Sequence, residues 1–174
     1  CDAVVEQRIL EQWFFRISDY ADRLLANLDD PAKMNWSETT ATAQRNWLGR
    51  SEGAEIVFPV DAGRAIEVYT TRPDTIFGAT FMVLAPEHPL VDQLTTSAQA
   101  DAIAAYRVAA AAKKDIDRQD EGRQKTGVFT GSFAVNPLNG NSIPVWIADY
   151  VLMGYGPGAT MAVPCGAPGD FEFS

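Results

Sequence analysis

The sequence is short of the residues that build metal centres and nucleophilic triads. Its two cysteines, Cys1 and Cys165, stand far apart with no Cys-x-x-Cys, and the single histidine is His88, so zinc-ligand spacing is absent and a reduced, cytoplasmic setting is the simpler inference. No apolar run approaches twenty residues, and no leader with a basic start and apolar middle is visible, which argues against a membrane span or a secretory signal. Positive charge is scarce: 14 Lys and Arg face 23 Asp and Glu, for a formal charge of −9. A freestanding grip on a nucleic-acid backbone needs Lys and Arg to neutralise phosphates, so any such contact should be small and local. His88 lies between Glu87 and Pro89, where it suits capping of the following helix, and Cys165 without a histidine to activate it reads as a small buried residue. Any enzyme made from this chain would position a water or the substrate's own hydroxyl, which is catalysis by orientation and electrostatics.

What is present suffices for a core: 174 residues with 47% apolar content predict one main domain plus an appendage. Cys1 follows no initiator Met, and Asp170-Phe-Glu-Phe-Ser174 ends without a helix stop, so the chain reads as a piece of something larger. From Glu11 to Leu28 apolar residues fall on one helical face, closed by Asp29-Asp30-Pro31. A second helix is expected after Ser37, a good N-cap, running to Leu48 before Gly49. The pair is too small to cover Trp13, Phe14, Trp36 and Trp47 by itself, which leaves packing on the rest of the chain or on a missing partner domain. Strands are expected at Glu55–Val60 and Ile66–Thr71 around an Asp61–Arg64 turn, then at Ala79–Leu84, Gly127–Val135, Ser142–Ile147 and Ala159–Val163. A short helix at Leu90–Leu94 and an alanine-rich surface helix from Ser97 to about Asp117 lie between, and Asp115–Lys125 reads as a solvated loop. Strands outnumber the helices available for crossovers, so a compact mixed sheet or barrel is favoured over a doubly wound fold.

Three segments carry candidate chemistry. The alternation Ile66-Glu-Val-Tyr-Thr-Thr-Arg-Pro-Asp-Thr-Ile-Phe-Gly78 ends in three hydroxyls and a guanidinium. These are poor core material and suit either a strand cap and turn or a rim facing an oxygen-rich ligand. Gly154-Tyr-Gly-Pro-Gly158 lacks the Gly-Lys-Ser/Thr ending of a phosphate loop and precedes a strand, so it is read as a tight turn or as close backbone approach to a ligand. Asp170, near an expected helix start, suits an N-cap or an ammonium partner.

Taken in order, Gln12-Trp-Phe-Phe-Arg-Ile-Ser-Asp-Tyr-Ala-Asp-Arg-Leu-Leu25, Arg45-Asn-Trp-Leu-Gly-Arg-Ser-Glu-Gly53, Thr70-Thr-Arg-Pro-Asp-Thr75, Lys125-Thr-Gly-Val-Phe-Thr-Gly131, Asn136-Pro-Leu-Asn-Gly140, Ile143 to Leu152 and Tyr155 to Pro164 resemble the editing insertion of bacterial-type leucyl-tRNA synthetase. The resemblance runs nearly end to end. It implies an α+β fold: a mixed β-barrel editing domain with flanking helices over residues 51–174, truncated at its C-terminal end, preceded by a helical linker over residues 1–50 leading from an absent synthetic domain. It implies hydrolysis of norvaline, isoleucine or methionine from tRNA(Leu). One methylene discriminates by only about 1–3 kcal/mol, so synthesis alone passes near-isosteres and a second sieve is needed. On the same resemblance Thr75 would be the steric gate against leucine, Thr70 and Thr71 would orient the ester and water or stabilise the transition state, and Arg72 would touch the tRNA end. Asp170 would bind the α-amino group, with Tyr155, Met161 and Val163 lining the adenosine and side-chain pockets. No cofactor or metal is implied for this segment, and Cys1 would be the remnant of an upstream zinc knuckle. ATP and Mg belong to the parent ligase, whose His-Ile-Gly-His and Lys-Met-Ser-Lys-Ser signatures are absent, so no aminoacylation is expected. The implied partners are the acceptor end of mischarged tRNA(Leu) and the synthetic domain, with no membrane. Two departures fall in the pocket: Gly166-Ala-Pro-Gly169 stands where the family usually has a further acidic group and an Arg, and Pro157 replaces the usual Thr. The competing expectation is a folded fragment that docks on tRNA or a partner domain without hydrolysing anything.

Overall fold

The structure, a computed structural model, describes residues 10–61, 63–118, 123–154 and 156–174. It divides into two compact units, Cys1–Glu52 and Gly53–Ser174. In the first unit a 3₁₀ turn at Ile17–Tyr20 leads into α1 (Ala21–Asn27), and α2 spans Glu38–Leu48. Ser37 caps α2 by accepting the Thr40 N–H at 3.3 Å, and Gly49 ends it in the left-handed region at φ 58°. The helix expected from Glu11 starts later, because aromatic residues are modest helix formers and a short helix needs packing to persist. Trp13, Phe14, Phe15 and Trp47 are all more than 80% exposed, so this unit supplies no such packing at their positions. Where it does pack, Leu24 of α1 and Leu28 at its C-cap meet Trp36 and Leu48 around a gap of about 50 Å³.

The second unit is a mixed α+β fold. β1 (Ala54–Pro59) and β2 (Ala65–Thr70) form an antiparallel hairpin, with Ile56 opposite Val68. A second sheet has the order β4-β5-β3-β6, built from β3 (Phe81–Leu84), β4 (Gly127–Val135), β5 (Ser142–Ala148) and β6 (Ala159–Ala162). β3 runs parallel to β5 and antiparallel to β6. Phe81-Met-Val-Leu84 is apolar throughout and buried throughout, as a central strand covered on both faces requires. Met82 and Leu84 enter the larger core with Phe58, Ile66, Val145 and Ile147, whereas Phe81 and Val83 enter a smaller one with Ala148, Val151 and Ala162. β2 lies beside β6 and β1 beside β4, but no hydrogen-bonded ladder joins either pair among the described residues. Among the described residues the two sheets therefore stay separate in their hydrogen bonding, and no closed barrel is found.

Between β3 and β4 run α3 (Val91–Leu94), α4 (Ala100–Ala111) and α5 (Asp115–Arg118). The expected solvated loop at Asp115–Lys125 requires correction. Its first residues form α5, and Arg118 is only 7% exposed. Burial is tolerated because the guanidinium donates to both carboxylate oxygens of Glu87 and to the carbonyls of Asp149 and Val151. Residues 119–122 of that stretch lie outside the described residues. Cys165, expected to be buried, is exposed, because it sits in the turn past the end of β6 where the sheet no longer covers it. The final helix, α6, spans Pro168–Phe173. Among the described residues no helix is long and apolar enough to cross a membrane.

Candidate functional site

The threonine segment leaves β2 at Thr70 and enters a 3₁₀ helix at Pro73–Gly78, with Pro73 in the first turn where its missing N–H costs nothing. Its polar groups are first spent on local geometry. Thr70 Oγ1 accepts the Arg72 N–H at 3.0 Å, and Thr75 Oγ1 donates to the Arg72 carbonyl at 2.8 Å. Arg72 forks onto Asp74, with Nε to Oδ1 at 3.0 Å and Nη2 to Oδ2 at 2.9 Å. That pairing holds the Asp74 carboxyl below and the Arg72 guanidinium above their usual ranges. Thr71 and Arg72 are exposed, and Thr70 and Thr75 are half-buried.

Asn136, read in the sequence only as part of a turn, turns out to hold this segment in place. It is fully buried, its Nδ2 donates to the Ile76 carbonyl at 2.7 Å, and its Oδ1 accepts the Leu138 N–H at 3.0 Å. The signal available in advance was an asparagine at the head of Pro-Leu-Asn-Gly, a residue type that bonds backbone two positions on. Asn136→Ala leaves the Ile76 carbonyl with the Ala79 N–H as its remaining donor and removes the acceptor of the Leu138 N–H, and should cost about 1 kcal/mol. Chemical denaturation would show this as a lower midpoint at unchanged slope.

The opposite side is built by β6 and α6. Asp170 Oδ2 accepts the Val163 N–H at 2.8 Å, which stitches α6 to the end of β6. Asp170 sits within the first turn of α6, whose N-cap is Ala167. Burial raises its pKa above the ordinary aspartate value, against the Val163 bond and the nearby Lys125 charge. Gly78, at the end of the threonine segment, abuts this wall: a Cβ placed there would come within 3.2 Å of Val163 and 3.3 Å of Cys165. Met161 and Val163 point into the main core. Tyr155 lies outside the described residues.

Asp170 lines a cavity of about 460 Å³ together with Tyr69, Tyr150, Leu152, Pro157 and Thr160. Thr70, Thr71, Thr75, Arg72, Met161 and Val163 are not among its lining residues. Tyr69 and Tyr150 were missed in the sequence because an aromatic residue in an apolar strand or turn is indistinguishable from core. Among the described residues the buried Tyr150 hydroxyl has no hydrogen-bond partner, and burial together with the Asp170 charge pushes the phenol upward, so it stays protonated. Gly158, at φ 70°, lets the glycine loop pass His88 and Met153, and its carbonyl accepts the Ala85 N–H at 2.9 Å. His88 Nδ1 accepts the Leu90 N–H at 3.1 Å just ahead of α3, and partial burial lowers its pKa. The only imidazole is thus a neutral structural acceptor.

The family model described as "Leucyl-tRNA synthetase, editing domain" matches residues 45–174. The chain belongs to the leucyl-tRNA synthetase editing-domain family. Its match spans both walls described above, from Thr70 to Asp170. A leucine–tRNA ligase of Synechococcus sp. (strain JA-2-3B'a(2-13)) is 57% identical over 172 residues, which is 99% of this chain and 19% of that ligase. The leucine–tRNA ligase of Rubrobacter xylanophilus is 55% identical over 174 residues, 100% of this chain and 21% of its own. Among solved structures, the agnB2 LeuRS of Agrobacterium radiobacter K84, crystallised as a ternary complex with tRNA and LeuAMS, superposes with a TM-score of 0.73 at 39% identity. That superposition covers 92% of this chain and 19% of that one. The chain spans about a fifth of the length of the leucyl-tRNA synthetases it matches.

Proposed function

We propose that this chain hydrolyses the ester of tRNA(Leu) charged with norvaline, isoleucine or methionine. The observation that carries the reading is the Asp170 carboxylate, fixed by the Val163 N–H in the wall of a cavity large enough for a small ligand, in a member of an editing-domain family. In this mechanism the carboxylate anchors the α-ammonium of the misattached amino acid. Thr70 and Thr71 orient the ester and a water, Thr75 excludes the leucine side chain, and Arg72 contacts the tRNA end through Nη1, the nitrogen its Asp74 fork leaves over. Met161 and Val163 shape the side-chain pocket from the core behind it, and Tyr155 adjoins the terminal adenosine. The carbonyl is attacked by water that the site positions, so no covalent enzyme intermediate and no cofactor are required. ATP and Mg serve the ligase step of the parent enzyme, and its cytoplasmic synthetic domain brings the acceptor end close. The six strands act as a barrel with two open seams, at β2–β6 and β1–β4, and residues 51–174 are the hydrolytic part while residues 1–50 link it to the synthetic domain.

Isoleucyl-tRNA(Leu) incubated with the chain should lose its amino acid well above the spontaneous rate, measured as acid-precipitable label against time. A rate equal to buffer would instead favour the docking reading, for which the replacement of the family's usual polar residues by Gly166-Ala-Pro-Gly169 is the specific motive.

A further inference from the structure

A second cavity, of about 330 Å³, adjoins the first and shares Tyr69, Gly156 and Pro157 with it. Its floor is the outward face of the β1–β2 hairpin. Strand alternation puts Glu67 and Tyr69 on that face, and the register sets Glu55 directly across from Tyr69. The Tyr69 side chain, 41% exposed, is held from two sides. A Cβ on Gly53 would meet its ring tip at 2.7 Å, and a Cβ on Gly156 would lie 3.9 Å from its Cβ. Among the described residues the ring stacks on no other aromatic side chain, and neither Glu55 nor Glu67 forms an ion pair.

Resting on the proposed function, we infer that the second cavity receives the base of the nucleotide preceding the terminal adenosine, stacked on Tyr69, so that the two cavities are consecutive nucleoside subsites. Both volumes fall in the range of small-ligand sites, about 300–1,000 Å³. Stacking on a pre-set aromatic ring is the usual way to bind single-stranded nucleic acid, and it tolerates the low positive charge of this chain. The carboxylates add a choice of base. Glu55 and Glu67 offer acceptors only, which suit the exocyclic amino group of cytosine and repel the O4 of uracil. All tRNAs end in cytidine-cytidine-adenosine, so the required base is the one always present. The shared wall of Gly156 and Pro157 is then where the intervening phosphodiester passes, with no Cβ on Gly156 to obstruct it.

Titration of the chain with adenosine, cytidylyl-adenosine and uridylyl-adenosine tests this. Cytidylyl-adenosine should bind about tenfold tighter than adenosine and about tenfold tighter than uridylyl-adenosine. Tyr69→Ala should weaken cytidylyl-adenosine about tenfold or more. The Glu55→Gln/Glu67→Gln pair should bring the two dinucleotides to within about twofold, because an amide donates as well as accepts. Hydrolysis of isoleucyl-tRNA(Leu) together with equal binding of adenosine and cytidylyl-adenosine would overturn this inference and leave the proposed function standing. A cytosine preference that survives the double substitution would overturn the role of the carboxylates. Absence of both adenosine binding and hydrolysis would overturn inference and function together.

Discussion

Asp170→Asn is expected to lower hydrolysis of isoleucyl-tRNA(Leu) about a hundredfold, the loss that follows from removing the charge opposite a partly desolvated ammonium. The amide keeps an oxygen for the Val163 N–H, so thermal stability should hold. Asp170→Ala should lose the same activity and also strand a buried N–H, at about 1–3 kcal/mol, seen as a lower Tm. Comparing the two separates anchoring of substrate from stitching of α6. The pH profile gives an independent reading. Burial raises the Asp170 pKa in the folded state, so the folded protein holds this proton more readily than the unfolded chain does. Ionisation therefore costs stability at neutral pH, and that cost disappears as pH falls through the folded-state value. Activity follows the opposite course, because only the ionised carboxylate binds an ammonium. The acidic limb of hydrolysis should stand above the ordinary aspartate range and vanish in the Asn variant; a limb unchanged by the substitution would sink the assignment.

Thr75→Ala is expected to convert correctly charged leucyl-tRNA(Leu) from a survivor into a substrate, with its hydrolysis rising at least about tenfold over background. Attraction in a pocket distinguishes one methylene by only about 1–3 kcal/mol, whereas overlap with a rigid atom excludes it steeply, so a gate has to be steric. Thr75 can be rigid because its hydroxyl is tied to the Arg72 carbonyl at the start of the 3₁₀ helix. Ser would keep that bond and open the gate only by a methyl, so Thr75→Ser should fall between wild type and Ala. If leucyl-tRNA survives the Ala variant while isoleucyl-tRNA is still cleaved, the gate lies elsewhere.

What could be read in advance was what local chemistry decides. Ser37 and Gly49 bound α2 because a capping hydroxyl and a left-handed glycine act over a single turn. The hairpin around Asp61–Arg64 and the buried run at Phe81–Leu84 were legible for the same reason, since alternation and continuous apolarity report which faces are covered. Arg118 was misread because its partners, Glu87 and the carbonyls of Asp149 and Val151, are distant in sequence, and charge alone suggests solvent. Cys165 was misread because a small residue after an apolar strand looks like its continuation. The site divides likewise. The threonine motif and Asp170 stand out as polar groups in apolar company, but the cavity beside Asp170 is walled by Tyr69, Tyr150 and Leu152, whose exposure depends on how β2 and the glycine loop meet. The tether from Asn136 to Ile76 bridges two segments that only the folded sheet brings together.

The placement of β3 has a kinetic consequence. This four-residue strand pairs with β5 through Met82 and Val145 and with β6 through Phe81 and Ala162, partners that the chain reaches only much later. Loop closure must be completed over both separations before either ladder repays it, which places the domain among slow, non-local folders. During synthesis, the central strand emerges long before anything can cover it. Until Ala159–Ala162 has left the ribosome, one edge of the uncharged Phe81-Met-Val-Leu84 strand lacks its partner. The wall that carries Asp170 and the strand that completes the core thus arrive together, so the candidate pocket cannot exist before the four-stranded sheet is complete.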